Sequence, residues 1–293
     1  MFYWKCPCGN LEQFGFGLRL NSRNMAFFME ELMTESIGLE NVKESRNRWV
    51  WLYRIFIQPR RIFKKIANLD GSAWLMPMLI LTVFVLLLAA LGGPARQQEI
   101  QMNMGQPPED FQYWSEEQQN QYFEGQTAMQ GPLFVYVFPV MSALAGLWGG
   151  WFIMSSLLLL LMTFKGSRQP QVSYLNLVAW AALPFVVRSL VQLVAVVSTQ
   201  REINNPGLSG FIDAGESALL AYAQILLSFI DLYSIWFVLL LLIGAPLVSK
   251  LKPDKSLPMT VLAILLFFVL ASIPGFAANQ LGGLGTIRPF LFF

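Results

Sequence analysis

The chain has 293 residues, of which 55% are hydrophobic and only 13% are charged, with a net charge of +2. Soluble domains carry about 25% charged residues, so this composition excludes an ordinary soluble domain and indicates a polytopic membrane protein. The absence of histidine excludes Ser-His-Asp and Cys-His catalysis. Cys6 and Cys8 alone are too few for a tetrahedral zinc site. We therefore expect no enzyme activity, no cofactor and no metal.

The N-terminal region, residues 1–48, is expected to be a disordered cytoplasmic extension. It contains no apolar segment of the kind that a signal peptide needs. Residues 1–32 differ in composition from the rest of the chain, and Met33 is a plausible alternative start.

A basic amphipathic segment is predicted at residues 49–70, with a helix that begins near Pro59 and ends near Asn68. One face of this segment is apolar, and we expect it to lie in the membrane interface as a sensing element or as a basic anchor that enforces topology. The basic surface opposite it should contact anionic headgroups, and its membrane-proximal position gives no support for nucleic-acid binding. The apolar residues are Leu52, Ile55, Phe56, Pro59, Ile62, Phe63 and Ile66, and the basic residues are Arg54, Arg60, Arg61, Lys64 and Lys65.

Five apolar stretches within residues 74–278 are long enough to cross a bilayer as helices. This predicts an all-α bundle with spans at about 74–91, 133–164, 174–197, 219–248 and 259–278. The loops alternate between basic and acidic. The positive-inside rule then places the N-terminus in the cytoplasm and the tail, residues 279–293, outside.

The first external loop, residues 92–132, is acidic and rich in glutamine. Ser115 and Gln118 have the spacing of a capping box, which predicts a polar helix over 116–129. The loop is either solvated or a lid over the outer face of the bundle.

Two charged residues fall inside the predicted spans. Arg188 in the third span and Asp231 in the fourth lie at similar depth, because the two spans run antiparallel. A charge at the bilayer centre costs about 2.5–3.5 kcal/mol, so we expect the two side chains to pair. Gln192 and Gln224 could extend this network. The pair is either a structural ion pair that fixes the register of the two helices or part of a polar pathway.

Small residues recur every four positions in the second span, at Ser142, Gly146 and Gly150. Such a stripe allows close helix packing, either within the bundle or in a homodimer. In the third span, Pro184 frees the carbonyl of Trp180 and predicts a kink.

The layout resembles the Yip family of membrane proteins. The resemblance rests on the run Ile57–Ile66, on Trp74 and Pro77, and on Ala182-Leu183-Pro184. It implies a five-helix membrane protein with a cytoplasmic N-terminus and without established catalysis. In eukaryotic members it implies interaction with Rab-type GTPases and vesicle traffic. This chain lacks their Asp-Leu-Tyr-Gly-Pro element and is more similar to prokaryotic members, so Rab binding is not carried over.

Two functions are consistent with these features. The first is a non-enzymatic membrane scaffold, assembly or trafficking-type factor with a membrane-protein partner or a second copy of itself. The alternative is a small transporter or transporter subunit, with a polar path near Arg188 and Asp231.

Overall fold

The computed structural model describes residues 48–69, 71–103, 109–201, 207–212 and 218–280. These residues form helices and the short connections between them, which confirms the all-α class. The chain divides into two compact units, residues 1–51 and 52–293. Of the first unit, only the start of the helix Arg48–Ile57 (α1) is described. The predicted disorder of residues 1–48 and the external tail at 279–293 lie almost wholly outside the described residues.

The second unit continues with ten α-helices in the described ranges. A π-helix, Leu133–Val137, leads directly into α6, and short 3-10 helices lie at Glu109–Tyr113 and Gly207–Phe211. The α-helices are α2 (Pro59–Ala67), α3 (Leu75–Leu91), α4 (Gly93–Asn103), α5 (Glu116–Met129), α6 (Phe138–Phe164), α7 (Gln171–Ala181), α8 (Pro184–Thr199), α9 (Ala218–Ser228), α10 (Leu232–Ser249) and α11 (Pro253–Gln280).

Four stretches of the described chain are long and apolar enough to cross a membrane: Leu133–Phe164, Gln171–Thr199, Leu232–Ser249 and Pro253–Phe276. A fifth exists if Leu75–Leu91 and the helix after it, which are bent by 44°, form one span. The first predicted span is therefore a 17-residue helix followed by a bend. These helices confirm a multi-pass membrane protein.

The third span lies at the centre of the bundle. From Ser173 to Phe185 every residue except Leu175 is buried. Helix α7 packs against α6, α10, α2 and α3. The helix of this span is interrupted at Ala182–Leu183, because Pro184 has no amide hydrogen to continue α7 and instead begins α8.

The fourth span, expected to be continuous over 219–248, is divided into α9 and α10. Asp231 and Ser234 form a capping box: Asp231 Oδ1 accepts from the Ser234 amide, and Ser234 Oγ accepts from the Asp231 amide, each at 2.7 Å. A capping box satisfies amides that a new helix would otherwise leave unpaired, so it favours a helix start here.

The 3-10 helix Gly207–Phe211 covers the break in the fourth span. The Leu208 amide donates to the Ile230 carbonyl at 3.1 Å. Gly207 has φ +63°, and a Cβ added to it would lie 2.6 Å from Ile230 O. Only glycine therefore allows this approach.

The acidic loop contains the predicted helix, α5. Ser115 Oγ accepts from the Gln118 amide at 3.3 Å, and Gln118 Oε1 accepts from the Ser115 amide at 3.1 Å. This confirms the capping box at the helix start. At the bend before this loop, Arg96 Nη1 donates to the carbonyls of Ala89 and Val135 at 2.9 and 3.1 Å. Arg96 thus ties the end of α3 to the start of the second span.

Candidate functional site: a docked basic helix and an intramembrane ion pair

Helix α2 has apolar residues on one side and basic residues on the other. Pro59 at its first position suits the helix start, because its φ is fixed and it has no amide to satisfy. Ile62, Phe63 and Ile66 share one face through the helical repeat. These three side chains are only 3%, 0% and 1% exposed. The apolar face of α2 is therefore covered by protein.

Helix α10 of the fourth span and helix α7 of the third span pack against α2. A Cβ added to Gly244 would lie 3.1 Å from Phe63 Cδ1 and 2.4 Å from Leu177 Cδ1. Phe63 and Leu177 thus occupy the space that the glycine leaves open. The sequence predicts that this apolar face lies against the membrane, and in the structure helices α10 and α7 cover it. An amphipathic helix buries its apolar face against an apolar surface, and neighbouring helices provide such a surface as well as acyl chains do.

The connection from α2 to α3 is clamped to the third span. The Asn176 side chain accepts from the Ala73 amide at 2.8 Å and donates to the Gly71 carbonyl at 3.0 Å. Trp180 Nε1 donates to the Ala73 carbonyl at 3.1 Å. Asn176 and Trp180 are fully buried. Neither residue was predicted from the sequence, although a lone Asn within an apolar span is a signal that could have identified the first of them.

A second polar contact joins the third and fourth spans. The Ser167 hydroxyl lies 2.9 Å from the Tyr174 hydroxyl and donates to the Ser249 carbonyl at 2.9 Å. All three residues are buried. The connection before α7 is therefore attached to the end of α10, the helix against which α2 packs.

The predicted basic residues of this region all remain exposed. We call this set the basic surface: Arg54, Arg60, Arg61, Lys64 and Lys65. Arg61 Nη1 donates to Gln58 Oε1 at 3.1 Å. Arg54 Nε donates to the Tyr53 hydroxyl at 3.3 Å, and its guanidinium carbon lies 5.9 Å from the Tyr53 ring centroid. Because Gln58 and Tyr53 are neutral, these contacts orient the two guanidinium groups without cancelling their charge.

The structure brings Arg188 and Asp231 together. Arg188 Nε lies 3.0 Å from Asp231 Oδ2, and the two side chains are 10% and 14% exposed. Arg188 follows Pro184 by one turn of α8, and Asp231 is the N-cap of α10. One carboxylate oxygen therefore caps a helix while the other meets the guanidinium. The arrangement neutralises both charges and links the two broken spans.

The glutamines expected to extend this network do not do so in the described part of the chain. Gln192 and Gln224 are half-buried. Neither forms a hydrogen bond with Arg188 or Asp231 within the described ranges.

The small-residue stripe of the second span faces the bundle. Gly146 and Gly150 are buried, and Ser142 is half-buried. Their helix, α6, packs against α7, α11 and α3. The two glycines therefore take part in helix packing within one copy of the chain.

The fold and these sites define an all-helical, multi-pass integral membrane protein. A family model described as "Yip1 domain" matches residues 53–273, which is most of the chain. The chain therefore belongs to the Yip1 domain family, and the resemblance inferred from its sequence is confirmed. No curated protein and no solved structure matches it significantly.

Proposed function

We propose that this Yip1 family member is a non-catalytic membrane scaffold, an assembly or trafficking-type factor that acts through its basic surface. The observation that carries the proposal is the docking of α2 on the bundle. Burial of Ile62, Phe63 and Ile66 leaves the opposite face, with Arg60, Arg61, Lys64 and Lys65, directed away from the bundle. A scaffold needs a surface of this kind, presented in a fixed arrangement.

The anchoring of α2 supports a rigid presentation. Phe63 and Ile66 are fully buried, and their van der Waals contacts with the neighbouring helices hold α2 in place. The clamp at Asn176 fixes the end of the connecting segment. A pre-organised surface loses less conformational entropy when a partner binds. The partner that such a surface fits is acidic, either a lipid or a membrane protein.

We further propose that the basic surface lies on the cytoplasmic side. Lys165 and Arg168 precede the third span, and Lys250 and Lys252 follow the fourth. Loops that are rich in Lys and Arg stay in the cytoplasm. The N-terminus would then be cytoplasmic and the C-terminus extracytoplasmic.

For the intramembrane pair we propose a structural role. Arg188 and Asp231 neutralise each other, and Asp231 also caps α10. Residues that served a transport pathway would need water or a substrate as a partner during the cycle. The contacts of this pair favour a pin between two spans, and they give the transporter alternative no support.

The scaffold proposal is tested by cross-linking in native membranes followed by mass spectrometry. Arg60→Glu with Arg61→Glu should remove the membrane-protein neighbours that the wild-type chain has. A matched control, Glu116→Lys with Glu117→Lys, reverses two exposed charges on α5 and should keep them. Retention of every neighbour in the first variant would contradict the proposal, as would an equal loss in both variants.

A further inference from the structure

Helix α5 is folded, yet none of its side chains is buried in the bundle. An isolated helix of this length is only marginally stable in water. Local contacts hold the segment together: besides the capping box at Ser115, the Gln119 side-chain amide donates to the carbonyls of Phe111 and Trp114 at 3.1 and 3.2 Å. A helix that is anchored in this way and left uncovered offers a surface on which a further segment can pack.

The surface of α5 combines aromatic rings with acidic groups. The Phe111 ring contacts the rings of Tyr122 and Phe123, with centroids 5.4 and 5.5 Å apart, and Phe123 is still 51% exposed. No lysine or arginine occurs between residues 97 and 164, so the acidic loop supplies no positive charge of its own. We call the following set the acidic aromatic surface: Asp110, Phe111, Glu116, Glu117, Tyr122, Phe123 and Glu124.

The tail at residues 281–293, which lies outside the described residues, has the complementary composition. It contains Arg288 and no acid, and residues 290–293 read Phe-Leu-Phe-Phe. The tail therefore offers a positive charge followed by aromatic rings, where α5 offers negative charges beside aromatic rings.

The tail leaves the bundle on the side of the membrane where α5 lies. Four spans, from Leu133–Phe164 to Pro253–Phe276, separate α5 from residue 281, and an even number of crossings returns the chain to the same side.

The tail is also long enough to reach α5. Helix α6 begins just after α5 and packs against α11, and the two helices have 27 and 28 residues. Because they are almost equally long and run in opposite directions, the end of α11 lies near the start of α6. Arg288 follows the end of α11 by eight residues, which can span about 26 Å. Helix α5 itself is about 21 Å long.

We propose that residues 286–293 of the tail dock on the acidic aromatic surface of α5. Arg288 pairs with the exposed acids, and its planar guanidinium also stacks on aromatic rings. The phenylalanines of the tail cover the exposed ring of Phe123. Attachment to the same chain gives the tail an effective concentration on the order of millimolar at α5, so a weak contact is enough. This contact goes beyond the scaffold role and does not depend on it.

The test uses the full-length chain, one copy in each nanodisc, and a short bis-maleimide that joins nearby cysteines. In a background of Cys6→Ser and Cys8→Ser, Thr286→Cys is combined with Gln121→Cys, an exposed position on α5. The matched control combines Thr286→Cys with Gln200→Cys, an exposed position at the end of α8 on the same side of the membrane. The first pair should be joined roughly tenfold faster than the second, because docking concentrates the tail at α5.

Charge changes separate docking from chance encounter. Arg288→Glu should lower the rate of the first pair to that of the control pair, and the further changes Glu116→Lys and Glu117→Lys should restore it. Added salt should lower the rate in the chain with its natural charges, because salt screens exposed ion pairs. Equal rates for the two pairs when Arg288 is present would overturn the proposal, and insertion of the tail into the bilayer would give that result. A fast rate that survives Arg288→Glu would overturn it as well, as would a loss that charge reversal does not restore.

Hydrogen exchange provides a second measurement that needs no cysteines. The backbone amides of α5 should exchange more slowly in the wild type than in Arg288→Glu, because docking stabilises a helix that is otherwise marginal. Equal exchange in the two proteins would contradict the docking. The scaffold test changes Arg60 and Arg61 and follows protein neighbours, so either proposal can fail while the other stands.

Discussion

Separate replacement of the two intramembrane charges should destabilise the protein far more than their joint replacement. Arg188 and Asp231 are 3.0 Å apart and almost completely buried. Removal of one partner of a buried pair costs about 3–5 kcal/mol, because the other charge stays behind without compensation. Asp231→Asn isolates this effect, since Asn caps a helix as well as Asp does. The Ser234 amide would keep its acceptor.

The two single variants should differ in size. After Arg188→Met, the remaining carboxylate still lies at the N-terminus of α10, where the helix dipole stabilises a negative charge by up to about 2 kcal/mol. This variant should therefore lose less stability than Asp231→Asn. The double variant contains neither charge, and replacing a whole buried pair is often close to neutral. Its loss should be smaller than the sum of the single losses.

The assay is reversible unfolding in mixed micelles with an increasing fraction of SDS, followed by circular dichroism. Wild type, both single variants and the double variant form a double-mutant cycle. Ser234→Ala serves as a control for capping alone and should cost about 1 kcal/mol. Additive losses in the cycle would refute the argument that the pair pins the two spans together.

Three further changes test the packing of the bundle. Asn176→Leu removes two hydrogen bonds to the connection before α3, and each buried group left unsatisfied costs about 1–3 kcal/mol. The backbone amides of residues 59–73 should then exchange with deuterium faster than in wild type. Unchanged exchange would count against the attachment of this connection to the third span. Gly207→Ala places a Cβ at φ +63° and 2.6 Å from Ile230 O, so the SDS fraction at the midpoint of unfolding should fall. The control Gly149→Ala has nothing within 4 Å of its added Cβ and should leave that midpoint close to the wild-type value. Gly244→Ala pushes a methyl group into the space of Phe63 and Leu177, so α2 should be proteolysed faster than in wild type; equal rates would argue against close docking.

Features with a local cause were predictable from the sequence. The helix Glu116–Met129 begins where Ser115 and Gln118 form their capping box. The proximity of Arg188 and Asp231 follows from equal depth in two antiparallel spans. Length and apolar composition were enough to predict several helices that can cross a membrane.

Features that depend on tertiary partners were not predictable in the same way. The sequence predicts one apolar stretch over 219–248, and the structure divides it into α9 and α10 just before Asp231. The spacing of Asp231 and Ser234 was the local signal for it. For α2, the amphipathic pattern could not distinguish a lipid surface from the sides of α7 and α10. Only the three-dimensional contacts show that protein covers this face.

Helix α2 is docked with its apolar side inward and its basic side outward, and we propose that it lies on the cytoplasmic side of the membrane. Single cysteines at Ile66 and Lys64, made after Cys6 and Cys8 are changed to serine, test it directly with a membrane-impermeant thiol reagent. Lys64→Cys should react in inside-out vesicles and not in right-side-out vesicles, whereas Ile66→Cys should stay unreactive in both until the protein is unfolded. Equal reaction of the two cysteines in inside-out vesicles would contradict the docking, and reaction of Lys64→Cys in right-side-out vesicles would contradict the orientation.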